Sequence, residues 1–247
     1  MNSPPPDRAD PTAGGGRAPA RRVAPRVCIV TDRRLSGTGD SLTARIARAL
    51  DGAAAPRQSA AGPSDARDVV VQLREKDLGG RELLELAGAL RCLTEAAGAR
   101  LFVNDRVDVA LAVGADGVHL GGGGLPPEAV RSIAPELGIS VATHSVSEVA
   151  RAAATAGVDF AVLGPIFDTP SKARFGMPPL GLAVLTEGCR LGLPVVAIGG
   201  IDGARAAACL AAGASGVACI RGVLNVPDPG AALGGLLALW PAGNGKR

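Results

Sequence analysis

Short apolar runs rich in β-branched residues recur along the chain, and each has the length and composition of a buried strand. The eight runs are VCIVT at 27–31, VVVQL at 69–73, LFV at 101–103, GVHL at 117–120, ISVAT at 139–143, FAVLG at 160–164, PVVAI at 194–198 and GVACI at 216–220. Continuous apolar strands that alternate with helices indicate a parallel sheet covered by helices. Eight such units predict a (β/α)₈ TIM barrel, because open sheets usually have fewer strands.

Between these runs lie segments in which apolar residues recur at helical spacing. The predicted helices cover residues 80–97, 127–134, 146–156, 182–191, 204–212 and 229–240. Phrases such as AGARLFV and AGASGVACI place a glycine between a helix and the next strand, which is typical of the turn joining them. A stretch of small and polar residues at 52–68 is predicted to be a long connection, with or without a distorted helix or strand in it.

The two ends of the chain differ from the rest in composition. Residues 1–25 are rich in Pro, Gly, Ala and Arg and lack apolar periodicity. We expect a disordered tail here, because such a segment cannot bury enough surface to offset the entropy of ordering. Residues 26–241 are predicted to form the barrel and residues 242–247 a flexible C-terminus. Hydrophobic residues make up 47% of the 247, which is ample for a buried core.

Charge and composition narrow the classes of partner. The formal charge of +3 lies in residues 1–26, where five arginines face two aspartates, so the predicted barrel is neutral. The chain has no Tyr, one Trp and four Phe, which argues against a nucleic-acid binder that stacks bases on aromatic rings. No apolar run resembles a membrane span or a signal peptide. We therefore expect a cytoplasmic protein that binds neither nucleic acid nor membrane, and a homo-oligomer is compatible with the sequence.

The five cysteines include no C-x-x-C pair, and they favour neither a disulfide framework nor a zinc site. We expect them to be small buried apolar residues.

The second predicted strand ends in QLREK. In a TIM barrel the active site lies at the carboxyl ends of the strands, which we call the barrel mouth. Strand alternation directs Gln72, Arg74 and Lys76 to one side. Two cations and an amide suit a pyrophosphate, whose charge needs several fixed donors. The chain has only three lysines among 26 basic residues, so a lysine here indicates a need for a compact ammonium. Surface ion pairs of a solvated loop are the alternative.

The third predicted strand ends in Asn104-Asp105. Asp105 either holds Mg²⁺, which takes one or two carboxylates with water and substrate phosphates, or caps a helix that begins near Val107.

Strands six and seven lead into segments suited to anions. Thr169, Ser171 and Lys172 open a loop rich in Pro and Gly, which we expect to be mobile when empty and to close over a bound anion. After strand seven, Gly199 and Gly200 expose backbone N–H groups at the position where this fold commonly binds phosphate.

Six segments resemble, in order, the motifs of the thiamine phosphate synthase and thiazole tautomerase superfamily. They are VTD at 30–32, VQLREK at 71–76, FVNDRVDVAL at 102–111, ADGVHLG at 115–121, GPIFDTPSK at 164–172 and AIGGI at 197–201. The resemblance spans about residues 27–225. For the synthase branch it implies a Mg²⁺-dependent transferase of thiamine biosynthesis. That enzyme couples hydroxymethylpyrimidine pyrophosphate to a carboxylated or plain thiazole phosphate, forming thiamine phosphate and releasing pyrophosphate.

The resemblance also implies roles for residues at the barrel mouth. It makes Arg74, Lys76 and Lys172 the catalytic contacts to the pyrophosphate and Asp105 the metal ligand. The other implied substrate-binding residues are Gln72 and Asn104 on the pyrimidine pyrophosphate side, and Thr169, Ser171, Gly181, Gly199 and Gly200 on the thiazole phosphate side.

Several positions separate the branches or depart from the synthase pattern. Gly124 stands where the synthase usually has a second metal carboxylate, Ala142 where it has a serine, and Arg221 where it has a small hydroxyl residue. The missing carboxylate keeps open a non-catalytic binder of thiamine precursors. A thiazole tautomerase-like isomerase is the alternative enzyme, although Pro165 stands where that branch has a histidine. His119 is expected to pack within strand four.

Overall fold

The structure, a computed structural model, describes residues 24–35, 40–54, 68–169 and 176–240. Eight parallel strands close into a barrel in chain order. They are β1 (Val27–Val30), β2 (Val69–Leu73), β3 (Arg100–Asn104), β4 (Gly117–Leu120), β5 (Gly138–Thr143), β6 (Phe160–Leu163), β7 (Val195–Ile198) and β8 (Gly216–Cys219). Each agrees with a predicted run to within one residue at either end, and the predicted TIM barrel is confirmed.

Alternation along the strands divides the buried side chains into two layers. Cys28, Phe102 and Phe160 belong to the cluster that fills the barrel interior, and the two phenyl rings lie 5.8 Å apart. Ile29 and its outward-facing counterparts on the other strands pack beneath the helices. The interior leaves no room beside the rings, because a Cβ on Gly117 would lie 2.5 Å from the Phe102 ring.

Nine α-helices lie within the described residues and surround the barrel. They are α1 (Leu42–Ala54), α2 (Gly80–Ala97), α3 (Val107–Ala112), α4 (Pro127–Ile133), α5 (Val146–Ala154), α6 (Gly181–Cys189), α7 (Gly203–Ala211), α8 (Arg221–Leu224) and α9 (Pro229–Leu237). The six predicted helices match α2, α4, α5, α6, α7 and α9 to within three residues. A single 3₁₀ turn, Arg33–Leu35, follows β1.

Helix α1 extends three residues into the predicted connection over residues 52–68, because it continues to Ala54. Residues 55–67 lie outside the described part of the chain. The amphipathic signal was present in the sequence, since Leu42, Ile46, Ala49 and Leu50 are buried on one face at helical spacing.

The packed chain begins by residue 24, slightly before the predicted boundary. Ala24 is 4% exposed and packs in the interior cluster, and the Arg26 carbonyl accepts a 2.9 Å hydrogen bond from the Val217 N–H. Most of the predicted N-terminal tail and the predicted flexible C-terminus lie outside the described residues. In the described part, no helix has the length and apolar character needed to span a membrane.

Candidate active site

Polar side chains from neighbouring strands meet inside the barrel mouth. Gln72 on β2, Asn104 on β3, His119 on β4 and Ser140 on β5 occupy successive strands, and the register pairs Asn104 with His119 and His119 with Ser140. Because inward-facing side chains of adjacent parallel strands stack in layers, these four groups form a polar floor above the apolar interior.

A chain of hydrogen bonds orients the amides of this floor. The Cys28 thiol donates to Gln72 Oε1 over 3.8 Å, and Gln72 Nε2 donates to Asn104 Oδ1 over 3.0 Å. Asn104 Nδ2 then donates to Asp105 Oδ2 over 2.7 Å. Burial raises the pKa of the Cys28 thiol to about 12, so the thiol keeps the proton that it donates.

Asp105 has an unusual backbone conformation. Its φ is +58°, and it is the only non-glycine residue with positive φ in the described part of the chain. Such a conformation costs about 1–3 kcal/mol and persists only where surrounding contacts fix it. Here the Gly121 N–H donates to Asp105 Oδ1 over 2.7 Å, and the Asp105 N–H donates to the His119 carbonyl.

The helix-cap alternative for Asp105 is not realised. Arg106 occupies the N-cap position of α3 and makes no side-chain cap bond. The carboxylate of Asp105 instead faces β4, where it accepts its bonds from Asn104 and Gly121.

His119 is buried within β4, as expected. Its Nδ1 is hydrogen-bonded to Ser140 Oγ at 3.0 Å. Burial lowers the pKa of His119 to about 4; the negative charge of Asp105 opposes this shift, and the positive charges of Arg74 and Lys76 add to it. The imidazole is therefore neutral at physiological pH, and these three charges lie close enough to act on it.

Arg74 and Lys76 meet at the mouth without acidic partners. The Arg74 side chain is half-buried and the Lys76 side chain is exposed, and within the described residues neither forms a hydrogen bond or an ion pair. The Arg74 N–H donates to Thr31 Oγ1 over 2.9 Å, which ties the end of β2 to the end of β1. Among the described residues, the ion pairs of this loop are formed by Glu75 and Asp77 and not by the two cations.

The acidic residues interleaved with these cations have partners of their own, which sequence reasoning missed. Glu75 is buried, and Asp77 follows it in the loop before α2. Both accept hydrogen bonds from the side chain of Arg33, which lies in the 3₁₀ turn after β1. No spacing in the sequence pointed to this pairing.

The opposite side of the mouth is a glycine turn after β7. Gly199 has a φ of +106° and Gly200 a φ of +64°. A Cβ on Gly199 would lie 2.6 Å from Pro165 Cα, and one on Gly200 would lie 2.4 Å from the Asp168 carbonyl oxygen. Both positions therefore require glycine, and the phosphate cradle at this turn stays a prediction. Arg205 donates to the Gly200 carbonyl over 2.7 Å and closes the turn from outside.

The remaining predicted residues on this side are only partly described. Thr169 is half-buried and Gly181 begins α6, but Ser171 and Lys172 lie outside the described residues. The Gly181 N–H donates to the Ile166 carbonyl over 3.0 Å, so it is not available to a phosphate. What Gly181 offers is space, since a Cβ there would have no neighbour within 4 Å.

The donors at the mouth fit a magnesium ion held by one carboxylate. Each oxygen of Asp105 accepts one hydrogen bond and keeps a second lone pair, and Asn104 turns its Nδ2 toward this carboxylate. Hard oxygen donors of this kind suit Mg²⁺, which needs only one or two carboxylates when water and substrate phosphates complete its shell. The described residues contain no cluster of three or more His, Cys, Asp or Glu side chains that could hold a metal.

The three departures from the synthase pattern lie at the mouth as well. Gly124 adjoins Asp105, since a Cβ on Gly124 would lie 2.7 Å from Asp105 Oδ1. Ala142 is an inward residue of β5, and Arg221 opens α8 directly after β8 with an exposed side chain. The exposed His144 donates from Nδ1 to the Gly164 carbonyl over 2.6 Å, which fixes the chain just before Pro165.

The chain forms a closed eight-stranded parallel barrel whose mouth carries amides, a carboxylate and two cations that have no ion-pair partner among the described residues. This arrangement defines a TIM-barrel enzyme. The chain matches the family model described as thiamine monophosphate synthase over residues 27–223, and it belongs to this family.

Individual relatives agree. A thiamine-phosphate synthase of Roseiflexus sp. is 46% identical over 86% of this chain and 84% of its own length. One from Methanoculleus marisnigri is 49% identical over 71% of this chain and 82% of its own. A solved structure, thiamine phosphate pyrophosphorylase from Pyrococcus furiosus, is 34% identical, has a TM-score of 0.73, and is matched over 88% of this chain and 96% of that one. The family and its synthase branch, both predicted from motifs, are confirmed.

Proposed function

We propose that this chain is a thiamine-phosphate synthase that joins hydroxymethylpyrimidine pyrophosphate to a thiazole phosphate and releases pyrophosphate. The family membership and the synthase relatives support the transferase class. The substrates are small phosphorylated molecules, and the cytoplasm is the compartment we propose for the reaction.

The observation that carries the proposal is that, among the described residues, the cationic side chains of Arg74 and Lys76 have no ion-pair partner. Both side chains lie close enough to His119 to lower its pKa, and neither forms an ion pair with a carboxylate of the described residues. Two uncompensated cations at one point form a site for a polyanion. Pyrophosphate is the anion in this reaction that carries the most charge, so we assign it to this side of the mouth.

The two cations would do their work as the leaving group departs. The bond between the pyrimidine methylene carbon and the pyrophosphate oxygen breaks, and its electron pair goes to the pyrophosphate. The thiazole nitrogen then donates its lone pair to the resulting carbocation. Negative charge grows on the leaving oxygen during this step, so fixed cations that bind pyrophosphate more tightly as it forms lower the barrier.

Asp105 would hold Mg²⁺ together with water and pyrophosphate oxygens. The ion would neutralise charge on the leaving group. Gln72 and Asn104 would contact the pyrimidine pyrophosphate from the polar floor, where their amides are already fixed by hydrogen bonds.

The thiazole phosphate is proposed to occupy the glycine side of the mouth. Gly199 and Gly200 would present backbone to its phosphate, and Thr169 borders the same region. Ser171 and Lys172 remain the further contacts that the family resemblance implies, with Lys172 reaching the pyrophosphate, whereas Gly181 offers only space.

The test is to incubate the purified protein with both precursor phosphates and Mg²⁺ and to measure thiamine phosphate by chromatography. Lys76→Ala should lower kcat by roughly 10²-fold or more, the size expected for loss of one preorganised charge contact. Arg151→Ala is the matched control, since it removes a cation that is 77% exposed on α5. Equal traces of product from the wild type and Lys76→Ala would refute the assignment. Binding of both precursors without turnover at any Mg²⁺ concentration would indicate a non-catalytic binder.

A further inference from the structure

The segment that carries Arg74 and Lys76 also carries two carboxylates of opposite charge. Residues 74–77 read Arg-Glu-Lys-Asp, so the segment alone has no net charge. If Glu75 and Asp77 were free, they would compete with any anion for the two cations beside them. The structure places both carboxylates elsewhere, on the turn that follows β1.

Arg33 makes the principal contacts to both carboxylates. Its backbone N–H donates to Glu75 Oε1 over 3.0 Å, and its Nη1 donates to Glu75 Oε2 over 3.2 Å. The same guanidinium forms a two-pronged pair with Asp77, at 2.6 Å from Nη1 to Oδ1 and 2.7 Å from Nη2 to Oδ2. Arg34 adds a bond of 2.8 Å to Asp77.

The ion pair between Arg33 and Glu75 differs from a surface ion pair because Glu75 is buried. The Glu75 side chain is 3% exposed, whereas Arg33 is 34% and Asp77 40% exposed. A buried carboxylate needs a cation and hydrogen bonds within reach, because burial disfavours its charged form. Arg33 supplies both from the turn after β1, so Glu75 does not have to turn toward Arg74 or Lys76.

We infer that Arg33 is a positioning residue for pyrophosphate binding, and this inference rests on the pyrophosphate site proposed above. Together with Arg34 it occupies Glu75 and Asp77 and leaves Arg74 and Lys76 unpaired at the mouth. Thr31 Oγ1 supports the same arrangement by accepting a hydrogen bond from the Arg74 N–H. The segment after β1 therefore contacts the end of β2 both at its backbone and at its acidic side chains. Arg33 itself does not touch the substrate.

The experiment measures the affinity of inorganic pyrophosphate in the presence of Mg²⁺ by calorimetry, together with the KM and kcat of the coupling reaction. In Arg33→Met, Glu75 loses its cation and competes for Arg74 and Lys76. Pyrophosphate affinity should fall roughly tenfold, with a comparable rise in KM for the pyrophosphate substrate and a smaller change in kcat.

A charge-neutral double variant separates positioning from simple loss of charge. Arg33→Met combined with Glu75→Gln removes both members of the buried pair, so no carboxylate is released toward the cations. Affinity should recover to within about threefold of the wild type. A wild-type affinity in folded Arg33→Met would overturn the inference, and so would a double variant that binds as weakly as Arg33→Met.

Two controls keep the result interpretable. Arg33→Lys keeps a cation beside Glu75, should bind within about threefold of the wild type, and carries the test if Arg33→Met does not fold; a tenfold loss there would also overturn the inference. Arg26→Met removes a cation 3.0 Å from Asp68 that joins the same two strands at the opposite end of the barrel. It should change the melting temperature without changing pyrophosphate affinity. If the wild type binds no pyrophosphate, the proposed site fails, which is a different outcome from failure of Arg33.

Discussion

At the scale of single residues, His119 shows how burial decides protonation beside a charged site. The imidazole lies inside the barrel, and burial lowers its pKa to about 4. Arg74, Lys76 and His144 add to this shift through like charge, and Asp105 opposes it. A neutral imidazole adds no further positive charge to the mouth, so the anion site depends on Arg74 and Lys76.

This shift predicts an acid-sensitive fold. A histidine with an unfolded pKa near 6.5 and a lower folded pKa takes up its proton first in the unfolded chain. Stability should therefore be complete above about pH 6.5 and should fall by about 1 kcal/mol per pH unit as pH decreases toward 4. Urea unfolding of the protein without Mg²⁺, measured at several pH values, gives this slope.

Replacing His119 measures its contribution to the pH dependence of stability. His119→Asn keeps a polar side chain next to Ser140, and it should flatten the pH dependence between pH 4 and 6.5, whatever its effect on stability at neutral pH. The matched variant is His144→Asn, at the other histidine, which is exposed. An unchanged slope in His119→Asn would mean that acid unfolding comes from other groups.

At the scale of elements, the sequence predicted the features that one local pattern determines. The eight strands were predicted to within a residue because each is a β-branched run that is buried on both faces. Alternation along QLREK also indicated which side Gln72 and Arg74 face. Contacts between elements far apart in the sequence could not be predicted. Arg33 and Glu75 are 42 residues apart, and no local pattern relates them. The role of Ser171 and Lys172 stays a prediction.

The loop between β4 and α4 carries the departure that matters most for the metal. Gly121 binds the Asp105 carboxylate, and Gly124 closes a turn with an N–H bond of 3.0 Å to the Gly121 carbonyl. Gly124 does not have positive φ, so its backbone admits a side chain once the Asp105 carboxylate, 2.7 Å from the Cβ position, shifts away. A carboxylate introduced there would lie next to Asp105.

Gly124→Asp should therefore strengthen magnesium binding and lower the stability of the metal-free protein. Two adjacent carboxylates repel each other without a cation, and together they bind Mg²⁺ more tightly. The half-saturating Mg²⁺ concentration should fall by roughly tenfold, and added Mg²⁺ should raise the melting temperature more than it does in the wild type. Gly123→Asp is the control, because a Cβ there has no neighbour within 4 Å. No change in Gly124→Asp, or a weaker response to Mg²⁺, would show that the turn does not reach the metal.

At the scale of the whole molecule, stability depends on closure of the barrel between β1 and β8. The segment just before β1 takes part in that closure. Arg26 donates its N–H to the Asp68 carbonyl over 2.8 Å and accepts the Val217 N–H over 2.9 Å. A Cβ on Gly216 would lie 1.9 Å from the Pro25 carbonyl oxygen, so the two segments are packed directly against each other.

Truncation from the N-terminus should therefore show a sharp boundary. Removing residues 2–22 takes away a segment that, by its composition, has little apolar surface to bury, and the melting temperature should stay within about 2 °C of the wild type. Extending the deletion through Arg26 removes two backbone hydrogen bonds and the buried Ala24. Each of these three contributions is worth about 1 kcal/mol, so the melting temperature should fall by roughly 6 to 12 °C. Differential scanning calorimetry of both truncations tests this boundary, and a large loss already in the shorter truncation would mean that part of residues 2–22 packs on the barrel.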